Sequence, residues 1–256
     1  MKIKDIMSKA YVVDKSDRIS EALDLMHKYH SRRLIVKNRE GVQGVITLRS
    51  ICGELGSRRK YNHPPTLFHV VDALSNDFTL VGPEDDVGQA LDALRDVGCV
   101  IVVDGGVGGV IGQVTTKDIL THYSPDGTVS SIMRPPVIAP PDARVAYIRK
   151  LMIEKSASRV PIMDGNTLVG MVSETDVANA MRSIKKHSPQ SRQDNNVEML
   201  IAMDIMRTDV VTAKPDLALK EAAKIMVDKD IGALPIVDEH GHLVGLVTRR
   251  DIIKAF

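Results

Sequence analysis

Three Gly-x-Val stretches of the chain run into a hydroxyl side chain three residues ahead of a carboxylate: Thr115 with Asp118, Ser173 with Asp176, and Thr248 with Asp251. At its plainest the pattern is a helix start, in which the hydroxyl accepts a first-turn N–H and the acid sits favourably at the positive helix end. The same groups can do more. A carboxylate held in a first turn at the end of a strand can accept both hydroxyls of a ribose, while nearby N–H groups and the hydroxyl can meet phosphate. A fourth stretch, Thr47-Leu48-Arg49-Ser50, keeps the hydroxyl but carries Ser50 where the others have an acid.

The elements that must position these motifs repeat four times. In the cleanest copy, Asp204-Ile205-Met206 leads through the β-prone Val210-Val211-Thr212 to an apolar helical face of Leu219, Ala222, Ala223, Ile225 and Met226. A buried strand, Leu234-Pro235-Ile236-Val237, follows. A polar turn at Asp238-Glu239-His240-Gly241 joins it to a second strand over 243–247, and a helix starts at Thr248. The order is strand, helix, strand, strand, helix. Forty residues separate Met7 from Thr47 and Met133 from Ser173, and forty-two separate Met206 from Thr248. A more worn copy opens at Ala73-Leu74 and closes at Thr115-Thr116-Lys117-Asp118. Repetition at this period fixes the architecture before any single residue can. The spacing predicts a helix over Ile19–Met26 capped by Ser16 or Asp17, one over 87–97, and one carrying Val145, Ile148, Leu151 and Met152.

Units of about sixty residues are marginal alone, so pairwise packing is expected. The 34 basic and 33 acidic side chains argue against bulk DNA or an anionic membrane as partner. Contact with DNA through Arg249-Arg250 and Lys185-Lys186 is disfavoured for the same reason. Cys52 and Cys99 have no metal-ligand spacing, and a reducing cytoplasm is the expected compartment. No apolar run reaches the length of a membrane span. His27 and His30 have no evident third ligand, and His240 and His242 read as turn residues. The glycines at 105–109 separate two strands and read as a hairpin rather than a dinucleotide loop. Polar linkers are expected at Glu54 to Thr66 and at Ser183 to Asn196, with 183–200 dividing the last two units. No phosphate-binding loop, nucleophile elbow or His-Glu-x-x-His pair is present, so a non-enzyme is expected.

The fourfold unit, its Ile-Met opening, its Leu/Val-Pro-Ile strand and its Gly-x-Val/Ile-Thr/Ser-x-x-Asp ending resemble the CBS domain, and paired copies resemble a Bateman module. The resemblance implies an α/β (α+β) fold: units at about 3–51 and 68–120 pair in a module over 1–122, and units at about 129–180 and 202–256 in a module over 123–256. Each pair would enclose two clefts for adenine nucleotides or S-adenosyl compounds about a pseudo-twofold axis. The ribose carboxylate of the family maps onto Asp118, Asp176 and Asp251, and its hydroxyl partner onto Thr115, Ser173 and Thr248. Ser50 leaves the first cleft empty or weak. The strand proline survives as Pro161 and Pro235, which favours the second half.

Ahead of the strand the chain alternates between Arg32-Arg33 or Ser158-Arg159 and the small Gly98-Cys99 or Gly232-Ala233. The four-unit plan is similar to that of the γ subunit of AMP-activated protein kinase, which implies phosphate contacts from Arg32, Arg33 and Arg159. Gly232-Ala233 would let adenine approach the backbone. Thr212, Ala233 and Pro235 complete the expected ligand set. The sequence therefore describes a regulatory sensor that needs no cofactor and binds AMP, ADP or ATP. S-adenosylmethionine is the second ligand, and a ligand-free scaffold the competing reading. A protein partner reads the ligand state, and the modules form a disc within one chain or by homodimerisation.

Overall fold

The computed structural model describes residues 1–55, 65–96, 100–106, 109–187 and 199–256. Gly98-Cys99 and most of both expected linkers lie outside these residues. In the first unit, Val12–Asp14, Arg33–Asn38 and Gly41–Thr47 form one sheet around the helix Ile19–Lys28, and Leu48–Leu55 closes the unit. The first strand is parallel to the second, and the second and third form a hairpin. The second unit repeats this with Phe78–Val81, Val87–Asp96, Val100–Asp104, Val110–Val114 and Thr116–His122.

The later units keep the hairpin and both helices: Val145–Glu154, Arg159–Asp164, Thr167–Ser173 and Glu174–His187, then Leu219–Asp228, Ala233–Val237, Leu243–Thr248 and Arg249–Ile253. Their expected first strands shrink to single parallel bridges, Ala139 to Ile162 and Ala213 to Ile236. Pro140 follows Ala139 at once and Pro215 comes two residues after Ala213, and a residue without an N–H cannot extend a ladder. Two other expectations change. The helix 19–28 starts after Arg18, because Ser16 and Asp17 are spent on a turn with Asp14. Residues 183–187 belong to the helix Glu174–His187 rather than to a linker.

The units interlock by exchanging their opening segments. Backbone N–H and C=O groups of Ser8 pair with Gln113, Ser75 with Val45, Arg134 with Leu246 and Arg207 with Met171, each through two reciprocal bonds of 2.8–3.1 Å. The residue before each, Met7, Leu74, Met133 or Met206, lies on a glycine of the partner unit. A Cβ on Gly112, Gly44, Gly245 or Gly170 would come within 2.8, 2.7, 2.8 or 2.5 Å of it. Units one and two also share a small buried cluster of Ile35, Val45 and Val102 across their sheets. The repeats are thus paired as Bateman modules.

The modules in turn pack through helices. One core joins units one and three, through residues such as Leu34, Ile51, Ile148 and Val177; another joins units two and four, through Ile101, Ile119, Met226 and Ile252. The ion pairs Arg49–Glu174 at 2.7 Å and Lys117–Asp230 at 2.8 Å cross the same boundary. Among the described residues no helix is long and apolar enough to cross a membrane.

The docking contact makes two glycines behave oppositely. At Gly44 an added methyl would meet the Leu74 side chain and the Ser75 carbonyl oxygen, both at 2.7 Å, whereas at Gly53, inside a helix, nothing lies within 4 Å. Urea unfolding of Gly44→Ala is expected to show a loss of about 1–3 kcal/mol, and of Gly53→Ala a gain of about 0.5–1 kcal/mol.

Candidate functional site

The three Ser/Thr-x-x-Asp motifs are helix caps with one geometry. The backbone N–H and the hydroxyl of Thr115, Ser173 and Thr248 both donate to Oδ2 of Asp118, Asp176 and Asp251, at 2.5–2.9 Å. Each hydroxyl also accepts the aspartate N–H at 3.3 Å. In the first unit Ser50 imitates the acid, accepting the Thr47 N–H at 3.0 Å. The cap therefore consumes one carboxylate oxygen and leaves Oδ1 for other work.

The exchanged segments decide what that work is. Arg207 donates from Nε to Asp176 Oδ1 at 3.4 Å, and Arg134 pairs with Asp251 Oδ1 at 2.6 Å. Ser8, at the matching place, donates instead to Asp118 Oδ2, the oxygen that already serves the cap, at 3.0 Å. The Arg207 side chain is 71% exposed while Asp176 is 9% exposed, so this longer contact is a weak latch that solvent or ligand can replace.

Two large cavities border these groups. The first, about 500 Å3, has Asp176, Ser173 and Arg207 on one wall and Val210, Val211 and Ile231-Gly232-Ala233 on another. The first module closes it: Leu23, Met26, His27, His30, Ser31 and Arg32 supply its remaining side. The second, about 730 Å3, lies where all four units meet. Arg32, Arg159 and Gly232 border both.

The electrostatics of this shared border are unbalanced. A Cβ on Gly232 would stand 2.4 Å from Arg159 Nη2 and 3.2 Å from Arg32 Nη1, so both guanidiniums rest on one glycine. Arg159 is 8% exposed, and its only side-chain hydrogen bond among the described residues goes to the neighbouring Ser158 carbonyl at 2.9 Å. Burial, reinforced by Arg32, pushes it down to about 9, well below the ordinary guanidinium range. Burial and then Arg249 lower Arg32, and burial and then Arg32 lower Arg33. Arg32 keeps accessible surface, but protein surrounds it and that surface faces the cavities.

Of the expected ligand residues, Ser173, Asp176, Arg32, Arg159 and Ala233 meet at the first cavity, while Thr115, Thr248 and Arg33 reach only the second. Asp118, Asp251, Thr212 and Pro235 line neither. Thr212 is exposed and Pro235 is buried within its strand. The Arg/Gly alternation explains the asymmetry. By the pseudo-twofold relation the Asp251 cleft faces Ser158-Arg159, where side-chain bulk replaces the room left at Gly232-Ala233, and Arg134 already holds the acid. Sequence reasoning missed Arg207, Arg134, Glu174 and Asp230, since ordinary surface composition gives such residues no signal. Arg249 entered the sequence reading only in a disfavoured contact with DNA. The structure buries it, with Nη2 donating to the Met226 carbonyl at 2.7 Å and to Asp230 at 3.2 Å. His242, in its turn, lies 3.3 Å from Asp238. Among the described residues no group of three or more acids, histidines or cysteines could hold a metal.

Paired repeats built on a hairpin between two helices, each ending in a capped aspartate or its serine substitute, define a class of tandem paired modules. The chain belongs to the CBS-domain family, whose model matches residues 3–57, 70–125, 129–183 and 201–256. It is 28% identical to the uncharacterized protein MJ1225 of Methanocaldococcus jannaschii over 93% of this chain and 92% of that one. The crystal structure of MJ1225, proposed to be an archaeal homologue of the γ subunit of AMP-activated protein kinase, superposes with a TM-score of 0.84 at 24% identity, covering 99% of each chain. An uncharacterized conserved protein of Pyrococcus horikoshii shares the fold at a TM-score of 0.65 and 20% identity, over 99% of each chain. Similarity to inosine-5'-monophosphate dehydrogenase of Korarchaeum cryptofilum, 35% identical over 123 residues, covers 48% of this chain and 23% of that enzyme.

The Arg159 environment has a measurable cost. Its folded value lies below its unfolded one, so from about 9 up to the ordinary guanidinium range the folded chain holds fewer protons. The group therefore weakens the fold at neutral pH, and the penalty fades as pH rises through about 9. Arg159→Met is expected to stabilise the ligand-free protein at pH 7 by about 1 kcal/mol or more, a Tm rise of about 2–4 °C. The gain should shrink above pH 9; a lower Tm at pH 7 contradicts this reading.

Proposed function

We propose that the chain is a non-catalytic cytoplasmic sensor of adenine nucleotides, with the cavity at Asp176 as its principal site. One observation carries the reading: a capped carboxylate whose second oxygen is held only by the exposed Arg207, apolar walls, and two arginines without an ion pair among the described residues face one space of about 500 Å3. A nucleoside monophosphate requires these three features in that combination. Its ribose hydroxyls would take Asp176 Oδ1 and displace Arg207, while the backbone at Ile231-Gly232-Ala233 and the side chain of Val211 would meet the adenine. The phosphate would face Arg159 and Arg32, each able to give a forked, charge-assisted pair. A sulfonium ligand such as S-adenosylmethionine gains nothing from two cations, so AMP, ADP or ATP is favoured.

Signalling would follow from who builds the site. Arg32 belongs to the first module and Asp176 to the second, so a bound phosphate ties the modules together and favours one relative setting of the two. A protein partner would read that setting.

Calorimetric titration of nucleotide-free protein with AMP tests the assignment. Asp176→Asn keeps an amide oxygen for the cap but removes the charge, and is expected to weaken AMP by about 10–100-fold. Asp251→Asn, in the cleft held by Arg134, should leave affinity unchanged. Equal effects of the two substitutions, or no AMP binding by the parent protein, would sink the proposal.

A further inference from the structure

The second cavity differs chemically from the first. Seven of its lining side chains are arginine or lysine and three are acids, in a chain whose formal net charge is only +1. Two of the acids are already committed: Glu174 to Arg49 at 2.7 Å, and Asp230 to Lys117 at 2.8 Å and Arg249 at 3.2 Å. The third, Asp77, accepts the Ser75 hydroxyl at 2.8 Å. Arg32, Arg33 and Arg159 are left without an ion pair among the described residues. Arg249 is 9% exposed, and its Nε is buried without a hydrogen-bond partner.

Concentrating like charge in a partly buried space is unfavourable unless an anion completes it. The cavity offers no wall for a base. Val45 and Leu48 are its only aliphatic lining residues, against the Leu23, Met26, Val210, Val211 and Ile231 that face the first cavity. It also offers no ribose acceptor, because Ser50 stands where a capped acid would project and neither Asp118 nor Asp251 reaches it. What remains is the hydroxyls of Thr47, Thr116, Ser158 and Thr175 and cations contributed by all four units. At about 730 Å3 the space exceeds the needs of one phosphate.

We infer that this central cavity is a second, nucleoside-independent site for a condensed inorganic phosphate, pyrophosphate or a short polyphosphate, held by Arg33, Lys117, Arg249 and Arg159 and bridging the two modules. The site does not depend on the nucleotide assignment, although Arg32 and Arg159 border both cavities, so occupancy of one alters the field at the other.

The full-length, nucleotide-free chain is titrated with sodium pyrophosphate, with orthophosphate in parallel, by calorimetry. One pyrophosphate is expected to bind per chain, more tightly than orthophosphate and with a raised Tm. Arg33→Gln should weaken it by at least about tenfold while Asp176→Asn leaves it within about twofold. If Arg33→Gln does not fold, Lys117→Gln, on a half-exposed side chain, replaces it with the same expectation. No pyrophosphate binding by the parent protein at about 1 mM overturns the inference, and if AMP still binds, the nucleotide proposal stands without it. A loss in Asp176→Asn equal to that in Arg33→Gln also overturns it, because the anion would then occupy the nucleotide cleft.

Discussion

The structure depends on one docking contact used four times. A methionine or leucine from the opening segment of one unit lies where its partner has a glycine, and the next residue closes two backbone hydrogen bonds across the pair. A unit that keeps its own opening segment would leave that glycine face bare and those backbone groups unpaired, and unpaired buried backbone groups are costly. Pairing of the units is therefore built into the strand geometry. The contact has a second consequence. The residue that makes the bonds, Ser8, Ser75, Arg134 or Arg207, is delivered beside the capping motif of the neighbouring unit, where Ser8, Arg134 and Arg207 each reach its aspartate.

Charge then separates the clefts that symmetry makes alike. Units one and three bring arginines to the start of their middle strand, while unit four brings Gly232-Ala233. The small residues leave space beside Asp176, and the arginines project toward the centre of the molecule. Four guanidiniums, Arg32, Arg33, Arg159 and Arg249, share a region whose acids are largely spent on ion pairs between modules. The free protein carries this repulsion, which a phosphate bound as proposed would relieve. Since the cations belong to both modules, that relief would be felt as attraction between them. On the proposed function, affinity and inter-module coupling would have one origin.

Much of this was legible beforehand. The Gly-x-Val-Thr/Ser-x-x-Asp endings located every cap, and Ser50 marked the motif that lacks a carboxylate. The Arg against Gly alternation located the arginines and the room beside Ala233, because it reports side-chain volume at equivalent places. What stayed hidden depends on distance in space. Nothing near Arg207 in the sequence announces Asp176 as its partner, and nothing near His30 or Met26 announces that the first module closes a cavity of the second. The repeat also misled by its regularity. Equal motifs at Asp118, Asp176 and Asp251 suggested equal sites, whereas Arg134 and Arg159 make the Asp251 cleft unlike its twin. The missing first strands of units three and four were readable from Pro140 and Pro215, but the β-prone Val210-Val211-Thr212 spoke louder.

The central claim is that a cation from one module completes a nucleoside site in the other, so the most direct measurement compares AMP with adenosine on the parent protein and on Arg32→Met. The account predicts that the parent prefers AMP by about tenfold or more, the worth of one charge-assisted contact, and that Arg32→Met loses most of this preference while binding adenosine as before. An AMP-to-adenosine ratio unchanged by the substitution would contradict it, and would confine the site to the second module alone.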